Sequence, residues 1–263
     1  MDRLNTAAAW SSVQVRADGE VCYLRLHRPH ANNTIDDTLV AECAAVLDEC
    51  SGWAKIVVLE GQSEVFCFGA DLKQFNGART QRDRVDAGAQ ALYDLWLRFK
   101  RGPFVSIAHV RGKANAGGVG FAAACDLVLC DEAATFSLSE LLFGLVPACV
   151  LPFLIDRVGR ARAHALTLMT QPLCARQALE WGLADGCAEN SDLLLRNHLR
   201  RLRLLPRDGI ARYKRYIGTL DGFLEQSRPA AVACNVEAFS DPVNLGRIER
   251  YASTGKFPWE GGP

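Results

Sequence analysis

No charge of one sign prevails in this chain: 30 Lys and Arg stand against 30 Asp and Glu, for a formal net charge of zero. That balance supplies no field to draw nucleic acid or an anionic membrane surface. Long apolar runs are missing as well. The longest nearly apolar stretch, residues 141–155, is 15 residues long and contains Gly144, Pro147 and Pro152, short of the ~20 that cross a bilayer. Residues 1–10 carry Asp2 and Arg3 before a short alanine run, without the apolar core of a secretion signal. Nucleotide loops are lacking too. There is no GxxxxGK[ST], since Gly112 and the Gly117-Gly118 pair are not followed by Lys-Ser/Thr, and Gly118-Val119-Gly120 leads into Phe121 and Ala122 rather than completing GxGxxG. The 10 cysteines form no CxxC and no Cys/His grouping at metal spacing. Cys22, Cys43, Cys125, Cys130 and Cys149 sit in apolar stretches, which predicts buried free thiols and a cytoplasmic protein. Internal repeats, linkers and low-complexity tracts are absent.

What is present is enough for a large core: 263 residues, 49% of them hydrophobic. Alternating residues on both sides of Asp18-Gly19 predict a hairpin of residues 13–16 and 21–27. Residues 36–50 place Leu39, Val40, Cys43, Val46, Leu47 and Cys50 on one helical face. Strands follow at 55–60, 104–110 and 126–130, with a long helix near 79–100 between the first two. Beyond Phe136 the pattern turns helical, at 150–158, 160–169, 175–182, 192–205, 209–224 and 229–239. Alternating strands and helices followed by helices alone predict α/β architecture with right-handed crossovers and a helical C-terminal extension.

Two loops can carry chemistry. Residues 66–71 (Phe-Cys-Phe-Gly-Ala-Asp) follow the strand 55–60, and the glycine-rich residues 112–120 follow the strand 104–110. Glycines where a strand passes into a helix let backbone N–H groups approach a ligand, and the helix N-terminus adds positive partial charge. One N–H from each loop makes an oxyanion hole. Glycine turns that only turn are commoner, and the spacing alone does not choose between the two.

The motifs together choose. FCFGADL at 66–72, VRGKANAGGVG at 110–120, Cys125-Asp126-Leu127, FSLSE at 136–140 with GLVP at 144–147, and ALEWGLAD at 178–185 resemble, in order and spacing, the enoyl-CoA hydratase/isomerase (crotonase) superfamily over residues 12–255. The segments 27–35, 64–71, 92–96 and 137–154, with the ending Phe257-Pro258-Trp259-Glu260, resemble within it the dehydratases of polyketide β-branching cassettes. The resemblance implies a spiral of β-β-α units over residues 1–200 and a C-terminal helical region, 201–263, that drives assembly into a trimer or a dimer of trimers. It implies removal of water from 3-hydroxy-3-methylglutaryl thioester on an acyl carrier protein, giving the 3-methylglutaconyl thioester. No metal or redox cofactor is implied; phosphopantetheine arrives with the substrate, on the carrier or on CoA.

It also implies roles. Ala70 and Gly117 supply the oxyanion amides, and Glu140, among Phe136, Leu138, Leu141, Leu142 and Phe143, is the catalytic carboxylate. An apolar setting raises a carboxyl pKa toward neutrality, although an isolated glutamate is more often a surface charge. Phe68, Asp71, Leu72, Tyr93, Asn115 and Gly118 are the further substrate-binding candidates, with Lys73 and His109 as possible helpers. Many hydratases carry a second glutamate three residues beyond the oxyanion glycine. Here Gly120 stands there, which favours one carboxylate acting as base and then acid. Arg196, Arg200, Arg203 and Arg207 recur at helical spacing, as a solvated face or as a docking face for an acidic carrier protein or CoA phosphates. The alternatives are an enoyl-CoA hydratase on free CoA esters, the cassette's 3-methylglutaconyl decarboxylase, and a non-catalytic or RNA-binding crotonase-fold scaffold.

Overall fold

The structure, a computed structural model, describes residues 10–71, 82–220 and 222–260. Two sheets form its centre. Strands β1 (Val13–Asp18), β2 (Val21–Leu26), β3 (Ile56–Glu60), β5 (Val105–Val110), β7 (Leu127–Asp131) and β10 (Gly186–Ala188) make a sheet in the order β1-β2-β3-β5-β7-β10, parallel throughout except for the β1–β2 hairpin. Strands β4 (Val65–Cys67), β6 (Lys113–Asn115), β8 (Thr135–Ser137) and β9 (Leu173–Cys174) make the smaller sheet. Strands β3, β5 and β7 are each followed by a short strand in the other sheet and then by a helix, which is the expected β-β-α repeat. The short strands lie inside segments whose glycines and three-residue length conceal any period-2 pattern.

The strand β3, Ile-Val-Val-Leu-Glu, is buried at every position, as a central parallel strand covered on both faces must be. One face of the large sheet, with Leu24, Val57, Leu59, Ala108 and Val128, joins helices α1 (Asp37–Cys50), α2 (Arg82–Arg101) and α3 (Gly117–Ala124) in the main core. The other face, with Tyr23, Ile56, Val58, Ile107 and Leu129, is covered by α7 (Ser191–Leu202) through Leu195 and Leu199. Asp36 caps α1 by accepting the Leu39 N–H at 2.7 Å. In the ALEWGLAD segment, Gly182 (φ +79°) ends α6 (Ala175–Trp181), and Asp185 accepts the Val128 N–H at 2.7 Å, tying that loop to β7.

Helices α4 (Val150–Val158) and α5 (Arg160–Met169) match expectation, and α8 runs Arg207–Leu220. The helix expected at 229–239 begins earlier: α9 spans Phe223–Ser240 with Pro229 inside it, because Leu224 is already buried in the core. Helix α10 (Pro242–Thr254) was not evident from periodicity; Pro242 occupies its first turn and Asp241 caps it by accepting the Val243 N–H at 2.7 Å. Part of the expected helix 79–100, residues 79–81, lies outside the described residues. Cys22, Cys43, Cys125, Cys130 and Cys149 are buried free thiols, as expected. Among the described residues no helix is long and apolar enough to cross a membrane.

Candidate functional site

The first loop is built by the segment before α1. Asn33, fully buried, accepts the Arg28 N–H at 2.8 Å and donates to the Phe66 carbonyl at 3.1 Å. Its left-handed backbone (φ 52°, after Asn32 at 51°) is one asparagine tolerates. Arg28 pairs with Asp36 at 2.8 Å and Asp71 at 3.1 Å. These bonds lay residues 33–36 along residues 69–71: the Ile35 N–H donates to the Gly69 carbonyl at 2.7 Å, and the Asp71 N–H to the Ile35 carbonyl at 3.0 Å. In such a parallel bridge the residue between, Ala70, turns its own N–H to the opposite side.

The second loop brings Ala116 and Gly117. Ala116 holds a left-handed φ of 50° with ψ −118°, a strained geometry for a residue with a side chain, and its N–H donates to the Ser137 carbonyl at 2.9 Å. Gly117 then opens α3, so its N–H has no acceptor within the helix. The two loops touch: a Cβ placed on Gly69 (φ +89°) would stand 3.3 Å from the Gly117 nitrogen and 2.6 Å from the Ala116 Cβ. Only glycine at 69 permits this approach.

Ala70, Gly117 and Glu140 line one cavity, of about 640 Å³, with Phe68, Asn115, Trp96, Ser139, Phe143, Asn235 and Phe239 among its other walls. Glu140 begins the 3-10 turn Glu140–Phe143, which Gly144 closes at φ +78°. Helix α10 clamps that turn from behind, since the Asn244 carboxamide donates to the Gly144 carbonyl at 3.0 Å. Tyr251 and Phe257 pack their rings on Phe143 at 5.1 and 6.0 Å. Glu140 Oε2 is buried without a hydrogen-bond partner. Burial raises the carboxyl pKa to about 7, opposed only weakly by the Glu140 and Ser139 backbone amides. The Cys149 thiol in the same wall is pushed up to about 12 by burial, so it stays neutral.

Phe68, 38% exposed, and Asn115 also belong to this cavity. Asn115 is held in place, accepting from Ser137 Oγ at 2.8 Å and donating to Ser139 Oγ at 3.1 Å. The other candidates do not reach it. Asp71 turns to Arg28 at 3.1 Å and forms no part of the cavity wall. Gly118 makes room rather than contact: a Cβ there would stand 2.2 Å from the Cys67 carbonyl oxygen of β4. Tyr93 is a core residue. It is fully buried against Phe153 at 4.9 Å, and its hydroxyl donates to the Leu224 carbonyl at 2.6 Å. Burial holds that phenol above its ordinary pKa. Tyr93→Phe is therefore expected to cost about 1–2 kcal/mol of stability, by leaving a buried carbonyl unpaired, while kcat stays within about twofold. Denaturant melts and steady-state rates check it. His109 lies on the other face of the sheet, bonded to Ser191 at 3.0 Å. Leu72 and Lys73 lie outside the described residues.

The arginine face divides. Arg196 and Arg200 are exposed on α7, Arg203 pairs with Asp18 at 2.5 Å, and Arg207 opens the next helix and donates to the Ser51 carbonyl. Because α7 packs on the sheet face away from α1, α2 and α3, Arg196, Arg200 and Arg203 stand across the sheet from the cavity, whereas Arg207 reaches the end of α1.

Trp96, Asn235 and Phe239 of the cavity were not singled out from the sequence. Their helices signal buried faces but not what those faces meet. Trp96 also explains Gly120. A Cβ there would stand 2.4 Å from Trp96 Cη2, so the indole fills the space that a second carboxylate's stem needs.

The family model for enoyl-CoA hydratase/isomerase matches residues 16–262. Bacillaene synthase dehydratase PksH of Bacillus subtilis is 52% identical over 253 residues, covering 95% of this chain and 97% of that protein. Mevalonyl-coenzyme A hydratase sidH of Aspergillus fumigatus is 32% identical over 177 residues, covering 66% of this chain and 65% of that one. The crystal structure of pksH from Bacillus subtilis superimposes with a TM-score of 0.89 at 49% identity, covering 95% of this chain and 100% of its own. The chain thus belongs to the enoyl-CoA hydratase/isomerase family, as an enzyme of its hydro-lyase branch with the crotonase fold.

Proposed function

We propose that this enzyme removes water from a 3-hydroxy-3-methylglutaryl group carried on the phosphopantetheine of an acyl carrier protein, giving the 3-methylglutaconyl thioester in polyketide β-branching. The observation that carries the reading is that Ala70, Gly117 and Glu140 line one largely apolar cavity. Two relatives support the substrate class: one is named a dehydratase of bacillaene synthase, and the other is named for mevalonyl-coenzyme A, whose acyl group has the same 3-hydroxy-3-methyl centre.

The thioester oxygen accepts the N–H groups of Ala70 and Gly117, which stabilise the charge that develops when a C2 proton leaves. Glu140, as carboxylate, takes that proton; the C2–H electron pair becomes the C2–C3 double bond as the C3–O bond breaks. The protonated Glu140 returns its proton to the departing hydroxyl, so one molecule of water leaves and the carboxylate is restored. The reaction is redox-neutral and calls on no group beyond the phosphopantetheine that carries the acyl chain.

The test is incubation with 3-hydroxy-3-methylglutaryl carrier protein, followed by intact-protein mass spectrometry. Loss of one water is expected. Turnover of the free CoA ester alone, or loss of carbon dioxide from 3-methylglutaconyl carrier protein without dehydration, overturns the reading. The Glu140 pKa gives a second prediction. A base must be ionised, so kcat/KM in the dehydration direction should rise with pH through an apparent pKa of about 7 and level above it. A profile flat from pH 5.5 to 8.5 excludes Glu140 as the base.

A further inference from the structure

The cavity that holds Glu140 shares a wall with a second cleft of about 740 Å³. Ile35, Ala70, Leu92, Cys149, Asn235 and Phe239 line both. The second cleft runs over the start of α1 and α2, where Asp36, Asp37 and Arg84 stand. In the shared wall Asn235 is the polar side chain, and among the described residues its carboxamide has no hydrogen-bond partner. A half-buried carboxamide between two cavities, with no protein partner, keeps its N–H donors available to a ligand that enters there. Asn115 cannot serve in its place, because both ends of its amide are committed to Ser137 and Ser139.

Arg84 is the cation in the walls of the two cavities, among the described residues. It donates to Asp37 at 3.1 Å and is 60% exposed, so water screens that pair and leaves further guanidinium donors available. Asp36 shares the Arg28 guanidinium, at 2.8 Å, with Asp71 at 3.1 Å, which offsets part of its repulsion of an anion there.

We infer that the second cleft receives the terminal carboxylate of the acyl group, with the Asn235 carboxamide donating to it at the shared wall and the Arg84 guanidinium supplying the counter-charge. The inference deepens the proposed function and rests on it. A branched C3 beside Glu140 must send its carboxylate arm somewhere. Toward Phe143, Leu145 and Val146 it would meet apolar walls without donors, and an anion there is not compensated. It would also stand near Glu140, where like charge would drive the catalytic carboxyl further from ionisation. Through the shared wall it meets donors and solvent, and the methyl group is left for the apolar side.

The experiment compares kcat/KM for 3-hydroxy-3-methylglutaryl and 3-hydroxy-3-methylbutyryl groups on the same carrier protein. The second substrate keeps the tertiary alcohol and lacks the carboxylate. Asn235→Leu and Arg84→Ala are each expected to reduce the preference for the carboxylate substrate by about tenfold, the scale of a charged hydrogen bond, mainly through KM. Asn235→Asp should reduce it further, through repulsion. Arg84 is exposed, so its variant keeps the test open if Asn235→Leu folds poorly. Equal losses on both substrates, or an unchanged preference, overturn the inference while wild-type dehydration still stands. A wild-type enzyme that dehydrates neither substrate overturns the proposed function and this inference with it.

Discussion

Replacing Glu140 by alanine is expected to lower kcat for dehydration by about 100- to 10,000-fold, the range a positioned proton-transfer group supplies, with the thioester still bound. The glutamine variant should lose as much, because it keeps the shape and removes the base. Neither change should unfold the enzyme: the Glu140–Phe143 turn is held by Gly144, by the Asn244 carboxamide and by the rings of Tyr251 and Phe257, none of which uses the carboxylate. Stability should move the other way. The carboxyl has a pKa raised from 4.5 to about 7, so its ionised form is disfavoured in the folded state. The wild type therefore loses stability as pH rises from the unfolded value through about 7. Glu140→Gln escapes that loss. It should be the more stable protein above pH 7, with the difference closing below about pH 4.5. Melts of both proteins at pH 4.5 and 8 check the sign, and exchange of the C2 hydrogens with deuterated solvent checks the chemistry. A glutamine variant that still exchanges them at the wild-type rate refutes the role of Glu140.

Glu140, Ala70 and Gly117 could be read from the sequence because each sits in a short motif whose local geometry does the positioning: a glycine before a bridge at Gly69, a helix start at Gly117, a turn closed by Gly144. Asn115 and Phe68 follow, since they flank those same turns. Tyr93 and Trp96 show where such reading stops. Both lie on buried positions of α2, three residues apart, yet one is sealed by the Leu224 carbonyl of α9 and the other faces the cavity. Helical periodicity reports that a side chain is covered, not by what. The same holds for Asn235, whose surroundings come from α1, α2 and the β4 loop. The short strands β4, β6 and β8 escaped for a different reason, since three residues cannot display alternation. Asp71 misled because its place beside Ala70 in sequence says nothing about the direction of its side chain; Arg28, far upstream, decides that.

Gly120→Glu, which would install the second carboxylate seen in many hydratases, is expected to damage the enzyme rather than give it water-adding activity. The new Cβ would meet Trp96 at 2.4, 2.5 and 2.9 Å from three ring carbons. The indole is held on its other sides: it packs edge-on against Phe121 at 5.9 Å and Phe153 at 5.6 Å and is fully buried. Overpacking of this kind typically costs about 1–3 kcal/mol, and a carboxylate buried without a partner adds to it. A loss of roughly 3 kcal/mol or more should lower Tm by about 6–12 °C in a chain of this size. Gly120→Ala separates the terms, since it brings the collision without the charge and should cost about 1–3 kcal/mol. Trp96→Ala in the Gly120→Glu background should recover part of the loss. The two sites would then be coupled by about 0.5–3 kcal/mol, measurable by denaturant melts of the four proteins in the cycle. If Gly120→Glu melts like the wild type, the indole does not fill that space and the single-carboxylate mechanism loses its structural basis.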